Sequence, residues 1–178
     1  MVQKLKNISS KEILKNKWWR YKVDEYIWPD GTKGDYHYIS TSGSTMVIPE
    51  LSDNVFVMTK QYRYLNRKVS LEFPGGGIKQ GLTAEKNAME ELEEEAGYIA
   101  GKLTKIGEFN PFNGVTDEIC NVFLAEQLKF VGGKPEPSEE FEIVELSFDE
   151  IEKKIKTGEL WDGMSLASWV IYLSRRGL

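Results

Sequence analysis

The chain has 178 residues, of which 40% are apolar and 29% are charged, and its net charge is −5 at pH 7. This length suits one globular domain with a sizeable core and is too short for two ordinary domains. The composition is that of a folded soluble protein. Because the chain is acidic, we expect no nucleic acid partner, and an anionic substrate would need a cation to mediate its binding.

No segment is expected to enter a membrane or to direct export. The longest strongly apolar stretch, residues 164–173, is about ten residues and too short to span a bilayer, and residues 1–15 lack an apolar core. With one cysteine, Cys120, and one histidine, His37, an intramolecular disulfide and a Cys/His zinc cage are both excluded. We interpret both residues as structural and predict a cytoplasmic protein.

The N-terminal part predicts a β-hairpin. Residues 18–28 are rich in aromatic and β-branched side chains, a Pro-Asp-Gly turn follows, and residues 35–40 form the second strand. We assign residues 1–43 to this segment and residues 44–178 to the main domain. Further strands are predicted at residues 45–48, 55–61, 69–72, 103–109, 119–126 and 140–147.

Helical spacing predicts three helices, at residues 84–96, 148–156 and 164–174. Many strands with few helices favour an α+β fold with a mixed sheet flanked by helices. For the first helix, Thr83 is the expected N-cap and Gly97 the residue that ends it. Its expected apolar stripe consists of Ala88, Met89, Leu92 and Ala96.

The first helix carries five glutamates in six positions: Glu90, Glu91, Glu93, Glu94 and Glu95. Three of them, Glu91, Glu94 and Glu95, fall at i, i+3 and i+4 and therefore share one face next to the apolar stripe. Three convergent carboxylates suit a hard cation such as Mg²⁺ or Mn²⁺. The alternative is a solvated acidic face. A glycine-rich segment, residues 75–77, precedes the helix and would let backbone approach a ligand closely.

Residues 76–98 resemble the box of the Nudix hydrolase family, which runs Gly, five residues, Glu, seven residues, then Arg-Glu-U-x-Glu-Glu-x-Gly-U, where U is bulky and aliphatic. The resemblance implies an α/β/α sandwich in which Glu91, Glu94 and Glu95, with a backbone carbonyl near Gly75, hold Mg²⁺ or Mn²⁺. Three positions depart from the pattern. Leu82 replaces the first Glu of the box, Glu90 replaces its Arg, and Tyr98 replaces its last aliphatic residue.

Segments outside the box resemble the ADP-ribose pyrophosphatase branch of this family. Residues 60–63 followed by 71–76 are similar to its Gln-Tyr-Arg and Glu-Phe-Pro-Gly-Gly signature, which implies that Arg63 contacts phosphate. Residues 111–118, which begin with Pro111, resemble a loop that the branch uses against substrate. The N-terminal hairpin resembles its dimerisation segment and offers three tryptophans for stacking on a nucleobase, although a tryptophan in a strand is more often part of the core: Trp18, Trp19 and Trp28.

The resemblance also implies a general base on a loop before a late strand, in residues 135–141. There we predict Glu140 as the base, with Glu139 second, acting beside the catalytic carboxylates Glu94 and Glu95. The expected reaction is hydrolysis of a nucleoside diphosphate sugar to a nucleoside monophosphate and a sugar phosphate by a homodimer. ADP-ribose leads by resemblance, and GDP-mannose remains open. The alternative, motivated by Leu82 and Glu90, is a binding or sensing protein with weakened turnover.

Overall fold

The structure is a computed structural model that describes residues 4–133 and 140–177. The strands are β1 (Lys6–Lys15), β2 (Arg20–Ile27), β3 (Lys33–Ser40), β4 (Ser44–Ser52), β5 (Val55–Arg63), β6 (Lys68–Glu72), β7 (Gly75–Gly77), β8 (Tyr98–Phe109), β9 (Cys120–Phe130) and β10 (Glu142–Ser147). The helices are α1 (Ala84–Ala96), α2 (Phe148–Thr157) and α3 (Gly163–Arg176).

The N-terminal segment is a three-stranded antiparallel sheet in the order β1-β2-β3. The sequence predicted only a hairpin, because all ten residues of β1 are exposed and two irregularities in the pairing break its alternation. The predicted first strand also began too early. Trp18 and Trp19 lie in the turn between β1 and β2, where the side chain of Asn16 accepts both of their backbone N–H groups at 2.9 Å.

The main sheet is mixed, as predicted. Its central path runs β10-β5-β4-β9-β8, with β6 paired to β5 and β7 paired to β4. Only the β4–β9 pair is parallel among the strand pairs of the described residues. Within β4 and its neighbours the side chains alternate between two apolar cores, which is the pattern of a sheet covered on both faces.

Each face of the sheet is covered by different helices. Val47 and Val57 point toward α1 and pack with its Ala88 and Leu92. The larger core on the other face joins the sheet to α2 and α3 and includes Met46, Ile48, Phe56, Met58, Val122, Ile151, Trp169 and Tyr172. This arrangement confirms the predicted α/β/α sandwich.

Both predicted ends of α1 are confirmed. The Thr83 side chain accepts a hydrogen bond from the backbone N–H of Lys86 at 3.3 Å, and Gly97 adopts the left-handed conformation with φ of 74°. The apolar stripe is narrower than predicted, because Met89 is 43% exposed whereas Ala88 and Leu92 are fully buried. The expected glycine loop is the short strand β7, and β8 begins at Tyr98 instead of residue 103.

The N-terminal sheet is joined to the main domain through the loop between β8 and β9. The backbone N–H of Ile39 donates to the Val115 carbonyl at 2.9 Å, and the N–H of Asp117 donates to the Ile39 carbonyl at 3.2 Å. This contact holds β3 against that loop and brings the β1–β2 turn to the side of α1 that carries the glutamates. The helices formed by residues 4–133 and 140–177 include none that is long and apolar enough to cross a bilayer.

Candidate active site

A groove of about 800 Å³ lies between the β1–β2 turn, the glycine strand β7 with the loop that follows it, and one face of α1. Its volume is that of a site for a small organic ligand or cofactor. All three glutamates that the sequence placed on one face, Glu91, Glu94 and Glu95, line it. The helical spacing therefore predicted correctly which carboxylates share a surface.

Glu91 is held by the buried amide of Asn87, a contact that was not predicted from the sequence. The carboxylate, 8% exposed, accepts a hydrogen bond from Asn87 Nδ2 at 3.4 Å. Asn87 Nδ2 also donates to Thr45 Oγ1 on β4 at 3.0 Å. Asn87 Oδ1 accepts the backbone N–H of Lys79 at 2.9 Å. Asn87 thus ties the helix, the sheet and the loop together beside Glu91. A helical Asn one turn before a functional Glu was the available sequence signal.

Glu95 and Glu94 are engaged by different parts of the chain. Glu95, also 8% exposed, accepts the backbone N–H of Gly75 at 3.0 Å. Glu94 accepts from Lys79 Nζ at 2.7 Å, and the same ammonium lies 3.5 Å from Glu90 Oε2. Burial alone would lower the pKa of Lys79, but its hydrogen bond to Glu94 and the charges of Glu91, Glu94 and Glu90 outweigh this and raise the pKa.

The carboxylate oxygens of this face suit a hard divalent cation, although the side chains are not already arranged around a single point. Among the described residues no three acidic or metal-binding side chains converge on one point, contrary to the convergence that the sequence suggested. A glycine is needed at position 76, because a Cβ there would lie only 2.9 Å from Glu91 Oε1 and would displace this carboxylate. Glu91, Glu94, Glu95 and the backbone at Gly75 could hold Mg²⁺ or Mn²⁺.

Glycine is required at position 75 for a different reason. A Cβ there would collide with the backbone carbonyl of Thr45, because β7 runs directly against β4. This close packing brings the Gly75 N–H to Glu95, so the glycine strand positions a site residue as well as completing the sheet.

Arg63, the predicted phosphate contact, lines the groove. Its guanidinium forms a two-point ion pair with the buried carboxylate of Glu72, with Nε donating to Oε1 at 2.7 Å and a terminal nitrogen donating to Oε2. The hydrogen bond to Glu72 raises the pKa of Arg63. Gln61 Nε2 donates to the same carboxylate at 3.4 Å. The pair fixes the guanidinium plane and leaves part of it facing the groove.

The three candidate tryptophans are separated by the fold. Trp18 and Trp19 lie in the β1–β2 turn and line the groove, with Trp18 being 69% exposed. Lys17 Nζ lies 4.4 Å from the centre of the Trp18 ring. Trp28 lies at the other end of β2, packed edge-on against Tyr26 and outside the groove lining.

The loop after β8 contributes a carboxylate but not its proline. Pro111 is exposed and lies outside the groove lining, whereas Glu118 lines it and accepts from Ser44 Oγ at 2.6 Å. Asp162 lines the groove too, and its side chain caps α3 by accepting the backbone N–H of Ser165 at 2.7 Å. Neither residue was predicted as a site residue, because neither acid follows a local periodicity.

The predicted base lies apart from these carboxylates. Glu140 is exposed, two residues before β10, and outside the groove lining. Glu139, the second choice, lies outside the described residues. The two residues interpreted as structural are engaged elsewhere. Burial raises the pKa of the Cys120 thiol to about 12, and His37 Nδ1 lies 2.6 Å from the Tyr21 hydroxyl in the N-terminal sheet.

Comparison with known proteins places this geometry in a family. The NUDIX domain model matches residues 42–165. An ADP-ribose pyrophosphatase of Bacillus subtilis is 32% identical over 159 residues, which cover 88% of this chain and 86% of that protein. A GDP-mannose pyrophosphatase of Escherichia coli is 28% identical over 138 residues, 72% of each chain.

The same fold occurs in a solved crystal structure, that of an ADP compounds hydrolase. It superimposes with a TM-score of 0.84 at 16% identity and covers 99% of this chain and 98% of its own. A methanol dehydrogenase activator of Bacillus methanolicus is 28% identical over 163 residues, 90% of this chain and 88% of that protein. The extent of the family match and the identity to the Bacillus subtilis protein lead to one conclusion: the chain belongs to the Nudix family and is a Nudix hydrolase.

Proposed function

We propose that this chain hydrolyses the diphosphate linkage of a nucleoside diphosphate sugar, with ADP-ribose as the first candidate, and releases a nucleoside monophosphate and a sugar phosphate. One observation carries the proposal: three glutamates suited to divalent cations share a groove with an arginine and two exposed tryptophans. The names of two relatives, an ADP-ribose pyrophosphatase and a GDP-mannose pyrophosphatase, support this substrate class.

Each wall of the groove suits one part of such a substrate. Mg²⁺ or Mn²⁺, held by Glu91, Glu94 and Glu95, would neutralise the diphosphate oxygens and lower the pKa of a bound water. Arg63, fixed by Glu72, would hold a phosphate oxygen. The exposed ring of Trp18 offers a stacking surface for the base.

Positive charge on the opposite wall also favours an anionic ligand. Lys15, Lys17 and Arg20 border the β1–β2 turn and line the groove, in a chain whose net charge is −5. They would attract the substrate toward a cavity whose other wall is acidic and needs metal ions before it can accept phosphate. Deprotonation of the attacking water is assigned to Glu140 by resemblance alone, and we retain it as a proposal.

We further propose that the protein acts as a cytoplasmic homodimer. The N-terminal sheet supports self-association, because β1 leaves apolar side chains exposed along a free edge, including Ile8 at 45% and Ile13 at 49%. The second candidate function is nucleotide-sugar binding or sensing without efficient turnover. It is favoured by Leu82 and Glu90, which replace the first glutamate and the arginine of the box.

A substrate panel tests the proposal. Purified protein is incubated with ADP-, GDP- and UDP-sugars plus Mg²⁺, and release of the nucleoside monophosphate is measured. We expect turnover of at least one sugar and the highest kcat/KM with ADP-ribose. Binding of these compounds, detected by quenching of tryptophan fluorescence, without monophosphate release would favour the binding or sensing function.

A matched pair of variants shows whether turnover belongs to the proposed groove. Glu94→Gln and Glu93→Gln make the same chemical change on neighbouring positions of α1, but only Glu94 lines the groove. We expect a large loss of kcat for Glu94→Gln and near wild-type turnover for Glu93→Gln. Equal losses would mean that the change acts through helix stability and not through the site.

A further inference from the structure

The loop between β7 and α1 is fastened to the helix by both the backbone and the side chain of Lys79. The backbone N–H donates to Asn87 Oδ1 at 2.9 Å, near the start of the helix. The ammonium group reaches the last two turns, where it lies 2.7 Å from Glu94 Oε2 and 3.5 Å from Glu90 Oε2. Lys79 therefore contacts α1 both near its start, at Asn87, and near its acidic C-terminal end, at Glu90 and Glu94.

The C-terminal end of α1 carries several negative charges that repel one another, and the ammonium group of Lys79 reduces this repulsion. Five glutamates lie in six consecutive positions, and the last turn contains no basic residue. Like charges three or four positions apart repel one another, and the helix dipole disfavours anions near the C-terminus. A glutamate in this setting would tend to turn its carboxylate away from its neighbours, and hence away from the groove, unless a cation held it.

We propose that Lys79 is a positioning residue that holds the Glu94 carboxylate on the groove side of α1, with Glu90 as a second anchor for the ammonium group. Lys79 and Glu94 both line the groove, and their contact is shorter than that between Lys79 and Glu90. Glu90 occupies the helix position at which the box has arginine. In this chain the cation beside Glu94 therefore comes from the loop, and the helix supplies the anion that steadies it.

Two effects of Lys79 on a divalent cation have opposite signs. As a nearby positive charge it repels the ion, so its removal would strengthen metal binding. As a positioning group it keeps Glu94 in one orientation, so its removal would weaken metal binding by the entropy of reordering a freed side chain. If Lys79 acts as a positioning residue, its effect on the orientation of Glu94 is larger than its repulsion of the ion. The direction of the change in metal affinity separates the two roles without any measurement of turnover.

The test is Mn²⁺ binding to the substrate-free protein, measured by titration calorimetry. This inference rests on the proposed use of Glu94 by a metal ion. Lys79→Met removes the charge and keeps an unbranched side chain that is one atom shorter, and we expect Mn²⁺ to bind about fivefold more weakly or worse. Unchanged or tighter binding would overturn the proposal. Lys79→Arg keeps a cation on the loop and should bind Mn²⁺ within about threefold of wild type, and an affinity as low as that of Lys79→Met would also overturn it.

Lys102→Met is the matched control. Lys102 forms an ion pair of similar length with Glu126, at 2.6 Å, between β8 and β9 and outside the groove lining. We expect it to leave Mn²⁺ affinity unchanged, and a loss equal to that of Lys79→Met would overturn the proposal by showing that any lysine removal suffices. In turnover, Lys79→Met should lower kcat more than it raises KM.

Failure of this inference and failure of the proposed function give different results. Turnover of a nucleotide sugar together with unchanged Mn²⁺ affinity in Lys79→Met would remove the role of Lys79 and leave the hydrolase function intact. Mn²⁺ binding that depends on Lys79, without turnover of any compound in the panel, would support the positioning role and remove the hydrolase function. No Mn²⁺ binding by the substrate-free wild type would overturn the positioning role, and the hydrolase function would fall as well only if no compound in the panel were turned over.

Discussion

The carboxylate of Glu95 accepts the backbone N–H of Gly75 at 3.0 Å, which joins the acidic face of α1 to the glycine strand β7. Glu95 is 8% exposed, so its charge is largely withdrawn from water. The Gly75 N–H offsets part of that cost, and a divalent cation held by Glu95 would offset more of it.

Activity should accordingly depend on a divalent cation and on Glu95. We expect monophosphate release to stop in EDTA and to return when excess Mg²⁺ or Mn²⁺ is added. Glu95→Gln should lower kcat by roughly a hundredfold or more, the scale of lost charge stabilisation at a catalytic site. Turnover that persists in the chelator after exhaustive metal removal would contradict the role assigned to the three glutamates.

Alanine substitutions at two adjacent glycines distinguish crowding of the site from a general effect on β7. A Cβ at Gly76 would meet the Glu91 carboxylate at 2.9 Å, whereas a Cβ at Gly77 would have no neighbour within 4 Å. Gly76→Ala should therefore displace Glu91 and lower kcat by about tenfold or more. Gly77→Ala should stay within about threefold of wild type. Equal effects of the two substitutions on kcat would argue against a function of Glu91.

These contacts also indicate which parts of the site a sequence can predict. The glutamate face and both ends of α1 follow from spacing within one helix, so they were predicted correctly. The exposed strand β1 was missed because burial on one face is what produces a readable alternation, and all its residues are exposed. The spacing of Asn87 and Glu91 is visible in the sequence, but the contacts of Asn87 and Glu118 with Thr45 and Ser44 on β4 join distant parts of the chain, and no local pattern encodes them.

The base assignment is tested by comparing two glutamates. Glu140→Gln is expected to lower kcat strongly while KM and Mn²⁺ affinity stay near wild type, because a base acts mainly in the transition state. Glu118 is the comparison, since it lines the groove and Glu140 does not. A strong loss for Glu118→Gln combined with full activity of Glu140→Gln would move the role to the carboxylate that already faces the groove.

The N-terminal sheet should mediate self-association. We expect a dimer in light scattering at micromolar concentration, because the free edge of β1 leaves Ile8 and Ile13 about half exposed. Ile13→Lys should shift the protein toward monomer. Val170→Lys is the control, since Val170 is 64% exposed but lies on α3. A wild-type monomer under these conditions would refute the assignment of a dimerisation role to this sheet.

Glu90 is the clearest departure of this chain from the box of the family. Its side chain is 45% exposed and lies 3.5 Å from Lys79, whereas Glu94 lies at 2.7 Å from the same ammonium group. Removing the longer and more exposed contact leaves the shorter one in place, and exposed ion pairs contribute little. We therefore expect Glu90→Ala to change kcat by less than about tenfold, a ceiling of roughly 1.4 kcal/mol in barrier height. Steady-state kinetics of Glu90→Ala and Glu94→Gln, measured side by side, test this expectation. A loss of kcat in Glu90→Ala as large as that in Glu94→Gln would mean that Glu90 contributes to the site directly. A small effect would instead show that the charge supplied by the loop suffices, and that arginine at this helix position is dispensable when Lys79 faces Glu94.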